Sequence, residues 1–381
     1  MLCLCLVAFV LKREAHANIL VVGSANIDTF LPVERLPAEG ENLMVQGLPT
    51  DNVPGGKGCT QAIAAAKLHH GRVFFMGQFG YDGKVLIDTL LQSSVDCSLS
   101  NTHQDIPSGR GYVFLTSSGQ VSAVVSGGSN QLGWKLWKYA WEQRQTNPSL
   151  LAQIFEQIRS TQCTCIMLQQ EVPSHVNEIM AAFRQSHSVF LIQDAGGADR
   201  EIPLHVLSSL DFIMPNESEL DRLLKRYNVD MSSASVVDKA RQLITLGAKH
   251  VIITQGSKGA TSVSSSGEVL HQASLRTTQA VDETGAGDCF RAAFVSALLQ
   301  RRSLQQCLQY GCAAGACAVE TKGAVPSIPT RPAVEARLHE LLKQPVGKSH
   351  DDTSNELNEP SSSPNDGETA HVLPTADPVA V

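Results

Sequence analysis

Residues 282–290 read DETGAGDCF and run directly into RAAFVSALLQ (291–300). The second stretch has the apolar content of a long helix, so the first is its entry. Gly285, Ala286 and Gly287 leave backbone N–H groups open there, and a helix N-terminus offers those donors and a positive dipole end to an anion. Asp288 stands among them. An Asp at this position can simply stabilise the helix. A carboxylate repels phosphate, however. It suits a base that takes a hydroxyl proton while the N–H groups hold the charge on a transferring phosphoryl group.

Around this stretch the chain alternates strand and helix. Strands are expected at Cys163–Gln169, Val189–Asp194, Asp211–Met214 and His250–Thr254, with strand-like runs near Ala260 and Val269. Helices are expected after Pro173, from Glu217, over Ala234–Leu246, over Gly287–Gln300 and over Ser303–Glu320. Such alternation predicts a mostly parallel sheet covered on both faces, with ligands at the C-terminal ends of its strands. Upstream, ANILVVG (17–23) reads as a buried strand and KGCTQAIAAAKLH (57–69) as a helix. Val73–Gly77 and Lys84–Gln92 follow as strand and helix. Two hairpins break the pattern: Phe30–Pro37 with Leu43–Leu48, and Tyr112–Leu115 with Ser122–Val125 across SSGQ. They suit an antiparallel flap over the strand ends. Trp134, Trp137 and Trp141 share one helical face, read as a packing face because no basic patch accompanies them.

The 381 residues and 43 % hydrophobic content allow one large domain with an extra lobe. A net charge of −7 and a pI near 5.9 argue against nucleic acid as partner. Most of that charge lies in residues 344–381, an acidic tail rich in Ser and Pro that is expected to be disordered and dispensable for activity. The apolar start, MLCLCLVAFVLKREAHA, is too short to span a membrane and has no basic residue before it. Residues 1–16 read as an extension, with a cleaved targeting segment as the alternative. Ten Cys without CxxC or zinc spacing fit a reducing compartment, the cytoplasm. Cys163 and Cys165, two apart in a strand, are expected on the same side of the sheet.

Further candidates sit at strand ends. Asn216, Glu217 and Glu219 follow FIMP: Asn216 can cap a helix, and the set also suits a hydrated magnesium ion. Gly55-Gly56-Lys57-Gly58 lets backbone approach a small polar ligand, without the spacing of a Walker A loop. Asp28 can take two sugar hydroxyls or serve a turn, and Glu171 ends another strand. Thr254-Gln255-Gly256-Ser257-Lys258-Gly259 can wrap a nucleotide.

Taken in order, VVGSANID, NVPGGKGCTQAIAAAKL, MPNESEL and VDETGAGDCFRAAF resemble the motifs of the PfkB-type carbohydrate kinase family, in its ribokinase branch, over about Ala17–Ile328. The resemblance implies a ribokinase-like three-layer α/β sandwich over residues 17–343, with a small β lid. It implies ATP-dependent phosphorylation of the ribose 5-hydroxyl, with Asp288 as base and Gly285, Ala286 and Gly287 as anion hole. Sugar contacts are implied for Asn26, Asp28, Gly55, Gly56, Lys57, Thr60, Glu171 and Asp288. Nucleotide contacts are implied for Asn216, Thr254, Gly256, Gly259, Gly287 and Cys312. Asn216 and Glu219 fall in the magnesium region, and Asp282, Thr284, Ala318, Thr321, Gly323 and Ser327 match the ligands of an activating potassium ion. A homodimer through the lid is found among such relatives, as are monomers.

The chain departs from the pattern at Thr60, where the family has Asn. Thr offers one hydroxyl where Asn offers a donor and an acceptor, which bears on sugar preference. Glu283 stands where Thr is common, and Cys312 where Asn or His is often seen. Kinases for deoxyribose, fructose, a sugar acid or a nucleoside remain open, as does an inactive sugar or nucleotide sensor.

Overall fold

A computed structural model describes residues 17–116, 121–275, 277 and 279–343. The readings of residues 1–16, the SSGQ turn and the tail 344–381 lie outside them. The chain runs β1 (Asn18–Val22), β2 (Asn26–Val33), β3 (Thr50–Gly55), α1 (Lys57–Leu68), β4 (Val73–Met76), β5 (Gln78–Phe79), α2 (Lys84–Gln92), β6 (Val95–Asp96), β7 (Asn101–Thr102), β8 (Gly109–Thr116) and β9 (Val121–Ser126). Next come α3 (Ser129–Leu132), α4 (Lys135–Glu142), α5 (Ser149–Ser160), β10 (Cys163–Gln170), α6 (Ser174–Ser186), β11 (Phe190–Gly197), α7 (Leu204–Ser209), β12 (Phe212–Met214), α8 (Glu217–Arg226) and α9 (Val236–Thr245). It closes with β13 (His250–Thr254), β14 (Ala260–Ser264), β15 (Val269–Gln272), α10 (Ala286–Leu299), α11 (Leu304–Ala318) and α12 (Arg331–Lys343).

The large sheet has nine strands in the order β15-β14-β13-β12-β11-β10-β1-β4-β6. From β13 to β6 they run parallel, and β14 and β15 close one edge antiparallel. The central strand β1 is buried along its whole length, as its unbroken NILVV predicts for a parallel strand covered on both faces. Alternate side chains serve two cores. Ile19, Val21, Phe75 and Met167 pack on α1, α10 and α11 through Ala62, Phe294 and Ala313. Leu20, Val22, Phe74 and Leu168 pack on the other face against Trp134, Ile158, Val176 and Leu220. The architecture is therefore a three-layer α/β sandwich. Trp134 and Trp137 are buried in the second core, so the packing reading of the Trp face holds.

The separate sheet is four-stranded, in the order β3-β2-β8-β9. The expected hairpin of Tyr112–Leu115 with Ser122–Val125 is present as the antiparallel pair β8 and β9, whereas the other expected hairpin is not. The first pair is Asn26–Val33 with Thr50–Gly55, and Leu43–Leu48 forms no strand. β2 lies parallel to β8 in the middle, so the sheet is more than two hairpins side by side. A second correction concerns Cys163 and Cys165. Asn18 pairs with Cys163 but Ile19 with Cys165, so Thr164 is an extra residue in β10. The bulge breaks the two-residue alternation and sends the two thiols into opposite cores. Helices α5 and α12 were not anticipated from the sequence. Among the described residues no helix is long and apolar enough to cross a membrane.

Candidate active site

The site forms where β1, β10, β11, β12 and β13 end and α1, α8 and α10 begin. Gly285 caps α10 with φ +81°, a left-handed conformation that other residues adopt at a cost. This turn starts the helix beneath Asp288, whose side chain is buried in the first turn. The Ala286 N–H donates to the Glu283 carbonyl at 3.2 Å, so this member of the expected anion hole already has an acceptor.

Asp288 is held from α1. Thr60 Oγ1 donates to Oδ2 at 2.7 Å, and Gln61 Nε2 donates to Oδ1 at 2.9 Å. The same Gln61 nitrogen donates to Asp194 Oδ2 at 2.9 Å. Asp194 also receives Lys57 Nζ at 3.2 Å, the Gly196 N–H at 2.8 Å and Arg291 at 2.9 Å. Burial alone would raise the Asp194 pKa, but the Arg291 and Lys57 charges hold it below the ordinary carboxylate range. Burial pulls the Lys57 pKa down, and Asp194, Asp288 and Glu219 more than offset it, so the ammonium stays charged. Thr60 thus sits on Asp288, where the resemblance implied a sugar contact.

On the lid side, Asp28 lies in β2 between Gly55 of β3 and Gly111 of β8. A methyl group on either glycine would overlap its carboxylate. Asp28 Oδ1 is buried with no hydrogen-bond partner. Burial pushes its pKa up to about 7, Glu171 adds to the shift and the Gly111 N–H opposes it. Glu171 accepts the Ser24 hydroxyl and the Lys57 N–H (2.9 Å). Burial raises its pKa while Lys57 opposes. Asn26 is buried, and its Oδ1 accepts from Asn130 Nδ2 at 2.8 Å. Gly56 enters α1 at φ +87°, packed on the Ala25–Asn26 backbone.

On the other side of Asp288 a cleft of about 640 Å³ opens. Asn216, Thr254, Gly256, Gly259, Gly287 and Cys312 all line it, together with Lys57, Glu219 and Asp288. Asn216 caps α8 in a reciprocal box: its side chain accepts the Glu219 N–H at 2.8 Å, and Glu219 Oε2 accepts the Asn216 N–H at 2.8 Å. Arg291 lies 3.5 Å from the same Glu219 oxygen. The helix-capping alternative for this motif is therefore realised. Burial pushes the Cys312 thiol up to about 12, so it lines the cleft as a neutral group.

The two loops expected to bind a cation do meet. Asp282 accepts the Thr284 N–H at 2.9 Å and the Gly323 N–H at 2.8 Å. Burial raises its pKa, but the polar groups of Thr284 and Gly323 and the Lys322 charge hold it below the ordinary range. Ser327 Oγ donates to Ala324 O at 2.9 Å, and the Thr321 N–H to Ala318 O at 3.2 Å. Thr284 Oγ1 is buried with no partner.

Sequence reading missed Gln61, Asp194 and Arg291. Signals existed. Gln61 is one turn from Lys57, Asp194 ends a strand in QDAGG, and Arg291 is a lone charge in an apolar helix, three residues from Asp288.

Comparison with known proteins identifies the family. Residues 16–331 match the model of the pfkB family carbohydrate kinases. A ribokinase of Arabidopsis thaliana is 35 % identical over 327 residues, 84 % of this chain and 81 % of that one. A ribokinase of Haemophilus influenzae is 32 % identical over 313 residues, 82 % and 95 % of the two chains. The solved structure of Arabidopsis thaliana ribokinase complexed with ribose and ATP superposes with a TM-score of 0.72 at 32 % identity, covering 85 % of this chain and 99 % of that one.

Proposed function

This chain belongs to the pfkB family of carbohydrate kinases, and on that premise we propose that it is a ribokinase, transferring the γ-phosphoryl group of ATP to the 5-hydroxyl of D-ribose. The observation that carries the reading is the position of Asp288. It lines the cleft and is held by α1, the helix of the glycine-rich sugar motif. A base there can reach a sugar on one side and a phosphate on the other.

Asp28, Glu171 and Lys57 hold the sugar, and the unpartnered Asp28 Oδ1 is a ready acceptor for a hydroxyl. Asp288 takes the hydroxyl proton as the sugar oxygen forms its bond to phosphorus and the bond to the ADP oxygen breaks. The N–H groups at the start of α10 and the charged Lys57 stabilise the transferring group. Thr254, Gly256, Gly259 and Cys312 shape the nucleotide end. Magnesium bound with ATP would neutralise phosphate charge. Among the described residues no group of three or more His, Cys, Asp or Glu could cage a metal. Glu219 is already engaged by Asn216 and Arg291. That donor set suits an ion held through water and phosphate. The buried, unpartnered Thr284 Oγ1 beside Asp282 fits a monovalent cation, and potassium is the proposed activator.

A second reading, a related sugar kinase, is favoured by one observation: the Thr60 hydroxyl is turned to Asp288, leaving the sugar one polar contact fewer. ADP release from ATP, magnesium and potassium across ribose, deoxyribose, fructose, sugar acids and adenosine decides between them. A ribose rate far above the rest is expected, and so is a drop when sodium replaces potassium. Preference for another sugar would move the substrate and keep the mechanism. No turnover with any of them would overturn the kinase reading.

A further inference from the structure

Asp288 is gripped by two consecutive residues of α1, one on each carboxylate oxygen. We propose that Thr60 is a positioning residue for the reaction: its hydroxyl orients Asp288 and follows the base through both of its protonation states. The inference rests on the reading of Asp288 as the kinase base.

Three acceptors surround the Thr60 hydroxyl. Asp288 Oδ2 lies at 2.7 Å, the Gly56 carbonyl at 3.0 Å and the Lys57 carbonyl at 3.2 Å. A hydroxyl carries one proton and can also accept. Before transfer, Thr60 donates to the charged carboxylate. When the substrate hydroxyl gives its proton to Asp288, the Thr60 proton can turn to Gly56 or Lys57, and Thr60 Oγ1 then accepts from the new carboxylic acid. No proton crosses Thr60 and no bond to it forms; only its torsion changes. Thr60 is 3 % exposed, and the carbonyls that accept its hydrogen bond stand at the entry of α1.

Gln61 does different work. Its amide donates to Asp288 and Asp194, and its Oε1 accepts from Gln169 Nε2 at 2.9 Å. Held at both ends, it cannot change roles without breaking a buried bond. It fixes the distance between the two carboxylates. Thr60 is the member of the pair that can switch.

The charged groups that interact with Asp288 are Lys57 from α1, Arg291 from α10 and Glu171 after β10; the neutral thiols of Cys59 and Cys289 also face it, and Gln61 links it to Asp194 of β11. All of them remain in place when Thr60 is changed, so a shift in pH behaviour reports on the hydroxyl.

The test compares wild type, Thr60→Val, Thr60→Ala and Thr60→Ser as full chains. It measures kcat and KM for ribose with magnesium ATP from pH 5 to 9, ribose binding without nucleotide, and melting temperature. Loss of a hydrogen bond to a charged group predicts a fall in kcat of about tenfold for Thr60→Val, with KM and ribose affinity within about twofold of wild type. Its kcat profile between pH 5 and 9 also changes shape, because the donor to Asp288 is lost. Thr60→Ser restores rate and profile, whereas a purely structural role would move melting temperature alone. If Thr60→Val does not fold, Thr60→Ala carries the same expectation. A raised ribose KM with unchanged kcat would make Thr60 a sugar contact and overturn the proposal, as would a valine variant with wild-type rate and pH profile. A wild type that turns over no sugar overturns the kinase reading itself, which separates the two failures.

Discussion

Arg291 and Asp194 form an ion pair of 2.9 Å, with side chains 4 % and 0 % exposed. Arg291 also donates to the Met214 carbonyl at 2.7 Å. The pair joins α10 to β11 and β12 at the wall of the cleft, which Arg291 also lines. Removing Arg291 leaves Asp194 with Lys57, Gln61 and the Gly196 N–H only, and takes the guanidinium from Glu219 and the Met214 carbonyl. Arg291→Met is expected to cost about 3–5 kcal/mol, read from urea unfolding at pH 7. Asp194→Asn in the same chain recovers part of that loss, because the two groups share one interaction. A cost near zero for the single variant would mean that the pair is solvated.

Asp288→Asn keeps the shape and leaves donors from Thr60 and Gln61 facing an amide. The expected outcome is a fall in kcat of about 10²–10⁴, with ribose KM and melting temperature little changed. An unchanged rate would remove Asp288 from its role.

Asp28 ties stability to pH. Its carboxyl pKa rises from the ordinary 3.8 to about 7, first through burial and then through Glu171. In that window the folded chain keeps a proton that the unfolded chain has lost. Stability from this group therefore falls as pH rises from about 4 to about 7, and is flat above. Asp28→Asn removes the dependence. Relative to wild type it gains stability across the same window, up to about 4 kcal/mol at roughly 1.4 kcal/mol per pH unit. Urea titrations of both proteins at pH 5, 6, 7 and 8 read the difference. A gap that does not widen with pH would mean the carboxylate is already charged at pH 5.

Gly111→Ala tests the seat of Asp28 without replacing the residue itself. The added methyl would overlap Asp28 Oδ1 and turn the carboxylate out of its slot. Ribose KM is expected to rise about tenfold or more, with kcat at saturation held within about threefold. Steady-state kinetics decide it, and an unchanged KM would show that the sugar does not use this seat.

Much of the fold was legible because the parallel strands are short, apolar and punctuated by Gly and Asn, so β1, α1, α2 and β13 fall where the pattern sets them. The lid was less so. Leu43–Leu48 looks like a strand by composition, but the strand is at Thr50–Gly55, where a polar sequence is shaped by the seat it makes for Asp28. The bulge at Thr164 has no local signal either, since it depends on how β10 meets β1. At the site, motif residues reached the right places. Their supports, Gln61, Asp194 and Arg291, come from three elements far apart in the chain, and only packing joins them. Thr60 was read as a sugar contact, a role that depends on a side-chain rotamer which spacing does not specify.

The four-stranded sheet over the site is assembled from two separate pairs of strands, 26–33 with 50–55 and 109–116 with 121–126, and α1, β4, β5, α2, β6 and β7 lie between the pairs in the chain. It has no single pair of cut points. Recombination that swaps one contiguous block between relatives would deliver a strand without its neighbours, and Asp28 without one of its glycines. Change in this part of the molecule is therefore expected to accumulate by substitution within each stretch, in concert, and not by exchange of a ready-made module.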